Sequence, residues 1–236
     1  MKTVAGLAAA TGLFLAGTCA GTPTLLVPAC GTSAVASIGS LQVAAGGAEF
    51  PAPTRVQACW TEEALHLMYQ ALDDKWLKNE HATCNSETWQ QEVVELFLGD
   101  QPDPAAPFLT QYLEVEVSPQ NTLYVARISN PYGNGTDKTN AMVDCAASGI
   151  EHSTRMGHNS FNANLTVPWK NVYQDGKGPG GTKKGQTFYG NFFRVLMEQP
   201  VASCDPSTCD YGAWSPTFAT PPQFHITTVF GEITMA

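Results

Sequence analysis

Ala64-Leu65-His66-Leu67-Met68-Tyr69-Gln70-Ala71 alternates: Leu65, Leu67, Tyr69 and Ala71 take every second position, with His66, Met68 and Gln70 between them. A period of two places the first set on one face of a strand and the second on the other, the pattern of a half-buried β-strand. The same kind of signal recurs on both sides of it. Val93–Leu98 is a short apolar run broken by Glu95. Tyr112, Val115 and Val117 mark a further strand, Leu123–Ile128 another, and Leu165–Trp169, Phe188–Met197 and Thr227–Thr234 complete the set. Pro and Gly clusters part them at Gln101–Pro107, Asn130–Gly135 and Gly176–Gly181. Many short strands separated by turn residues predict an all-β chain: an antiparallel β-sandwich of jelly-roll or immunoglobulin-like layers, with little helix. The best helical stretch is Ser86–Glu92, where Ser86 can cap a turn.

The N-terminus reads as a leader. Lys2 precedes the uncharged apolar run Val4–Leu15, and Thr18-Cys19-Ala20 offers small residues for cleavage, the layout of a secretory signal peptide over residues 1–20. The run is short for a membrane span, and Thr18 is a poor neighbour for lipid attachment at Cys19. Residues 21–53, rich in Gly, Ala, Pro, Thr and Ser, read as a partly flexible lead-in with one strand near Ser37–Val43; a single sandwich domain then fills residues 54–236. Hydrophobic residues make up 43% of the chain and charged residues 14%, which excludes a disordered chain. With 21 acidic against 12 basic residues the net charge is −9, an unsuitable balance for nucleic acid or an anionic membrane.

Loss of Cys19 with the leader leaves six cysteines: Cys30, Cys59, Cys84, Cys145, Cys204 and Cys209. An even count in an exported chain predicts three disulfides; of the 15 pairings, Cys204 with Cys209, inside a turn-rich segment, is the one the spacing favours. Zinc is disfavoured, because no CxxC pair is present. Asn134-Gly-Thr and Asn164-Leu-Thr are acceptor sites for N-glycosylation.

The chemistry-bearing candidates divide by context. Trp89 is flanked by Thr88, Gln90 and Gln91, and Trp214 sits in a loop between Gly212 and Pro216; both contexts suit an exposed wall better than a core. Trp60 and Trp169 read as core, and Trp76 is open. Glu95 interrupts an apolar strand, so it either faces a solvated cleft or pairs with Arg194 or a lysine. Arg194, in Asn-Phe-Phe-Arg-Val, is correspondingly a cleft residue or a buried carboxylate partner. Asp73 and Asp74 end a strand, where adjacent carboxylates can bind structural calcium or form a solvated turn; no other cofactor is required. Glu114 and Glu116 share a strand face about 7 Å apart, near the spacing of glycoside-hydrolase carboxyls, although alternating Glu on a solvated face is ordinary. No GxSxG and no HExxH is present. A haem reading would need Met68 with His152 or His158 as ligands.

Several of these segments resemble, in order, the family 9 carbohydrate-binding modules. Ala58–Asp74 is similar to the family's early alternating strand with its acidic end. Trp89-Gln-Gln-Glu-Val-Val-Glu95-Leu-Phe-Leu resembles its Trp and Val-Glu-Leu-Phe motif, and Tyr112–Pro119 the strand after it. Val167-Pro-Trp-Lys, Gly190-Asn-Phe-Phe-Arg194, Trp214-Ser-Pro-Thr, Phe224-His and Phe230-Gly-Glu-Ile resemble the later strands. The resemblance covers roughly Arg55 to Met235. It implies a β-sandwich that binds the ends of xylan- or cellulose-like chains between two tryptophans, here Trp89 and Trp214. Glu95 would accept from sugar hydroxyls and Arg194 would lie nearby. Known binders supply an Arg and an Asn from the strand after the acidic motif; this chain has Leu113-Glu114-Val115-Glu116 there. The expectation is a secreted, monomeric carbohydrate-binding domain without catalysis. A haem-binding sandwich, or an interaction protein that keeps the fold without the sugar site, is the alternative.

Overall fold

The computed structural model describes residues 22–46, 48–100, 102, 105–173 and 181–236. The expected leader, residues 1–20, and most of the expected Gly176–Gly181 turn lie outside these residues. Fourteen strands are described: β1 Thr24–Val27, β2 Ala36–Ile38, β3 Gln42–Val43, β4 Thr54–Trp60, β5 Ala64–Ala71, β6 Val93–Gly99, β7 Gln111–Val117, β8 Leu123–Ser129, β9 Thr139–Met142, β10 Glu151–Gly157, β11 Ser160–Pro168, β12 Thr187–Met197, β13 Cys209–Ala213 and β14 Gly231–Met235. The one α-helix among the described residues is the single turn Cys145–Ser148, capped by Asp144, whose Oδ1 accepts from Ala147 N. Ser86–Glu92 forms only a 3-10 turn at Thr88–Gln90.

Two sheets form the predicted sandwich. The larger runs β1-β14-β12-β6-β7-β8-β9, with β13 and β3 attached along β12; the smaller runs β10-β11-β5-β4-β2. Among the described residues, the strand pairings are antiparallel except β1 with β14, and a single parallel bridge joins Ala29 to Trp60. Strand β12 is long enough to serve two neighbours on one edge. Thr187–Gly190 pairs with β14, and Phe193–Met197 pairs with β13.

The alternation in β5 does what its period dictates. Leu65, Leu67 and Tyr69 face the larger sheet and meet Val94, Leu96, Leu98, Val115, Phe188 and Phe192 in the main core. Trp169 is fully buried and Trp60 nearly so, as expected, while Trp76 is 39% exposed. Burying side chains of this size contributes roughly 1.5–3 kcal/mol each. Strand β6, by contrast, is buried at every position. Its second face is covered, and a further apolar cluster built on Phe97, Tyr112, Tyr124, Phe193 and Phe230 lies there.

Residues 22–53 are more structured than a flexible lead-in. They add β1 to the larger sheet, β2 to the smaller and β3 to β13, so three strands replace the one expected. Short strands rich in small residues carry little periodicity, and here the partner strands supply the order. Cys30–Cys59 ties this segment to β4; Cys84–Cys145 and the expected Cys204–Cys209 complete three disulfides. Non-reducing peptide mapping is expected to recover these three pairs and no free thiol among the six. Removing Cys204–Cys209, which spans only 5 residues, is expected to lower stability by about 2 kcal/mol, read by thermal melts; a reshuffled map would contradict the fold.

Asn134 and Asn164 are both exposed, and Asn134 Oδ1 accepts from Thr136 N and Oγ1. Among the described residues, no helix is long and apolar enough to cross a membrane.

Candidate functional site

The outer face of the larger sheet is organised by cross-strand register. In one row Ala213, Phe193, Glu95, Glu116 and Tyr124 stand side by side on β13, β12, β6, β7 and β8. In the adjacent row Phe97 lies beside Glu114 and Ala126. Strands about 4.8 Å apart place the acids midway between two aromatic groups. On the β8 side Trp89 packs edge-on against Tyr124, centroids 5.1 Å apart. On the β12–β13 side Phe224 stacks on Phe193 at 4.1 Å and meets Tyr211 at 5.9 Å.

Above this face is a cleft of about 380 Å³, lined by Trp89, Tyr124, Tyr211 and Phe224, with Glu95, Glu114, Lys138, Asn140 and His225 among its polar residues. Its size and mixed lining fall in the range of small-ligand sites. Trp89 is 37% exposed. The turn Thr88–Gln90 holds it in place. Asn79 Nδ2 donates to Thr88 O and Glu92 O, and Cys204 N donates to Gln90 O, docking the Cys204–Cys209 loop onto the turn.

Three carboxylates meet here: Glu95 and Glu114 line the cleft, and Glu116 lies buried beneath its floor. Glu95, Glu114 and Glu116 are 2%, 4% and 0% exposed, and one ligand atom from each lies within 4.8 Å of the others. Burial pushes Glu114 up to about 7. Burial, reinforced by the neighbouring carboxylates, raises Glu95 and Glu116 well above the usual carboxylate range. Thr88 Oγ1 donates to Glu116 Oε2. His225 shares a hydrogen bond with Tyr112 Oη through Nδ1 at 2.6 Å, and its Nε2 stands 3.7 Å from Glu114 Oε1. Burial pushes His225 down to about 3, so its ring is neutral at pH 7.

The expected site residues separate here. Trp89 and Glu95 share the cleft. Trp214 does not line it: the ring packs on Phe192, centroids 5.6 Å apart, and on the backbone of Gly231, with the core between the sheets. The second aromatic wall is Tyr211 and Phe224 instead. Arg194 is not a cleft residue either. It lies on the opposite face of β12 from Phe193, wholly buried, with Nε on Glu92 Oε1 at 3.0 Å and Nη2 on Asp74 Oδ2 at 3.1 Å. Nη1 donates to Thr54 Oγ1 and Leu72 O. That network also corrects the Asp73–Asp74 calcium expectation. Asp74 has one oxygen on Arg194 and the other on Trp76 N, while Asp73 is exposed at φ 53°, so the two do not converge on one ion. Glu114 and Glu116 are not on a solvated face. Met68 pairs with Asn164 and His152 with Leu165, so those two side chains point to opposite faces of the smaller sheet and cannot share an iron. His158 sits in the β10–β11 turn, about 17 Å of strand from the Met68 row.

The two-sheet sandwich has the fold of the family 9 carbohydrate-binding modules. Two such modules from Caldicellulosiruptor kristjanssonii, solved with glucose and with cellotriose, superpose with TM-scores of 0.56 and 0.54 at 15% and 16% identity. Each covers 90% of this chain, and 95% and 93% of the respective modules. A candidate carbohydrate-binding protein from Bacteroides uniformis superposes with a TM-score of 0.66 at 15% identity, covering 91% of this chain and 99% of that one. No family model matches the sequence. By sequence, the chain belongs to one family with an extracellular protein of Arthroderma benhamiae, 30% identical over 222 residues, 89% of this chain and 90% of the relative.

Proposed function

We propose that this is a secreted, non-catalytic carbohydrate-binding domain whose ligand lies in the cleft above Glu95. The observation that carries the reading is Trp89: a large, partly exposed aromatic ring held rigidly beside a buried polar floor. A pyranose presents C–H faces and a polar rim, so it is matched by flat aromatic walls joined to a few fixed acceptors. Trp89 supplies one wall, Tyr211 and Phe224 the other, and the carboxylate floor accepts from ring hydroxyls. Three disulfides and an extracellular relative support export. The modules of the same fold solved with glucose and cellotriose support carbohydrate as the ligand class, with cellulose-like chains as the first candidates.

The test is a glycan array with the mature domain, followed by calorimetric titration of the glycans retained. Binding at about micromolar to millimolar is expected for a site of this size, roughly −8 to −4 kcal/mol. An array blank for every glycan would refute the reading. Steady release of reducing sugar that Glu114→Gln abolishes would replace it with hydrolysis.

A further inference from the structure

We propose that Glu95, Glu114 and Glu116 bind one divalent cation of the calcium type at the floor of the cleft, with the outward coordination positions open to hydroxyl oxygens of a ligand. Two observations carry this independently. The first is convergence: the three ligand atoms lie within 4.8 Å of one another, and two oxygens on opposite sides of a calcium ion stand about 4.6–5.2 Å apart, twice the bond length. The second is that one oxygen of each residue is buried without a hydrogen bond from a neighbouring donor group: Glu95 Oε1, Glu114 Oε2 and Glu116 Oε1, while the carboxyls of Glu114 and Glu116 lie close enough to share a proton.

Leaving three acceptors unmatched in an apolar surround is costly, and the register aggravates it. Glu95 stands directly opposite Glu116, and like charges so placed repel. A single divalent cation at the point where the three residues converge would offset their charge together. The donor set is carboxylate oxygen only, which selects a hard cation over zinc or copper. His225 is the one imidazole on the cleft lining. Its Nδ1 is taken by Tyr112, and its Nε2 stands 3.7 Å from Glu114 Oε1, beyond hydrogen-bond reach, so it lies outside the set. Thr88 Oγ1 donates to Glu116 Oε2 and so fixes the orientation of that carboxylate. Lys138, on the cleft lining, offsets the remaining negative charge. Calcium takes six to eight oxygens. Three protein ligands leave several positions toward the cleft for water, and neighbouring hydroxyls of a sugar can displace that water.

The ion site stands on the cluster alone, whereas its part in ligand binding rests on the carbohydrate reading above. The experiment therefore has two arms. In the first, the mature protein is stripped with EDTA, freed of chelator and titrated with calcium, magnesium or zinc chloride by calorimetry, with parallel thermal melts. One calcium per chain is expected, with a raised melting temperature, and Glu95→Gln and Glu116→Gln should each weaken it at least about tenfold. No uptake by the parent at millimolar calcium would overturn the site and leave shared protons to satisfy the cluster. Parent-like uptake by both Gln variants, or preference for zinc, would overturn it too. In the second arm the glycan array is run in calcium and in EDTA. Loss of the retained glycans in EDTA is expected; equal retention would overturn the ligand role. An array blank in both conditions would refute the carbohydrate reading, and the calcium titration would still decide the ion site.

Discussion

Arg194→Met is expected to destabilise the protein by about 3–5 kcal/mol, read as a large fall in melting temperature and denaturation midpoint. The cause is local and electrostatic. Arg194 has no exposure, and neither do Asp74 and Glu92, which it bridges. Every group in the network is matched: Glu92 Oε2 accepts from Met197 N, Asp74 Oδ1 from Trp76 N, and Arg194 Nη1 serves Thr54 and Leu72. Removing the guanidinium leaves two carboxylates facing each other in a dry interior, and methionine fills the volume without supplying a donor. A double variant, Arg194→Met with Glu92→Gln, should recover part of the loss, because one uncompensated charge is gone. An Arg194→Met protein that melts like the parent would mean that the network is open to water.

Trp89→Ala carries the largest expected effect on binding. The ring stands 37% exposed on a turn whose backbone is held by Asn79 and the Cys204 loop. Its removal should therefore cost most of the sugar affinity, at least about tenfold or 1.4 kcal/mol, with a melting temperature close to the parent's. Trp214→Ala should do the opposite. That ring is half-buried against Phe192 and Gly231, so its loss should lower stability by roughly 2 kcal/mol, less than for a fully buried tryptophan, without touching the cleft wall. Titration beside thermal melts separates the two. Equal loss of binding from both variants, with both melts intact, would restore a two-tryptophan slot.

The contrast between those tryptophans measures how far sequence reading reaches. Trp89 was legible because its neighbours are polar and it precedes a buried strand by a short turn. Trp214 looked the same, a tryptophan beside glycine and proline. Its face is decided by pairing instead: Trp214 N donates to Phe192 O at the end of β13, and the ring turns inward beneath β14. Nothing within five residues of it encodes that choice. Arg194 was ambiguous for the same kind of reason. Gly190–Met197 is apolar almost throughout, so no alternation shows which side chains share a face.

The amino-acid sequence by itself determined what depends on local pattern. The period of two in Leu65, Leu67, Tyr69 and Ala71, the turn residues between short apolar runs, the even cysteine count and the close pair Cys204 and Cys209 are all local, and they define an all-β, disulfide-linked sandwich. The family resemblance grouped Trp89 with Glu95, and both line one cleft. Only the tertiary structure decided what depends on register between strands distant in sequence. A shift of one residue reverses every side chain of a strand, and β6 is buried on both faces, so its pattern is silent about direction. The β6–β7 register alone brings Glu95 against Glu116 and Glu114, and the β12 pairings alone send Arg194 inward to Asp74 and Glu92. Charge clusters and ion pairs of this kind are non-local because each partner's position is set by hydrogen bonds made elsewhere along its strand.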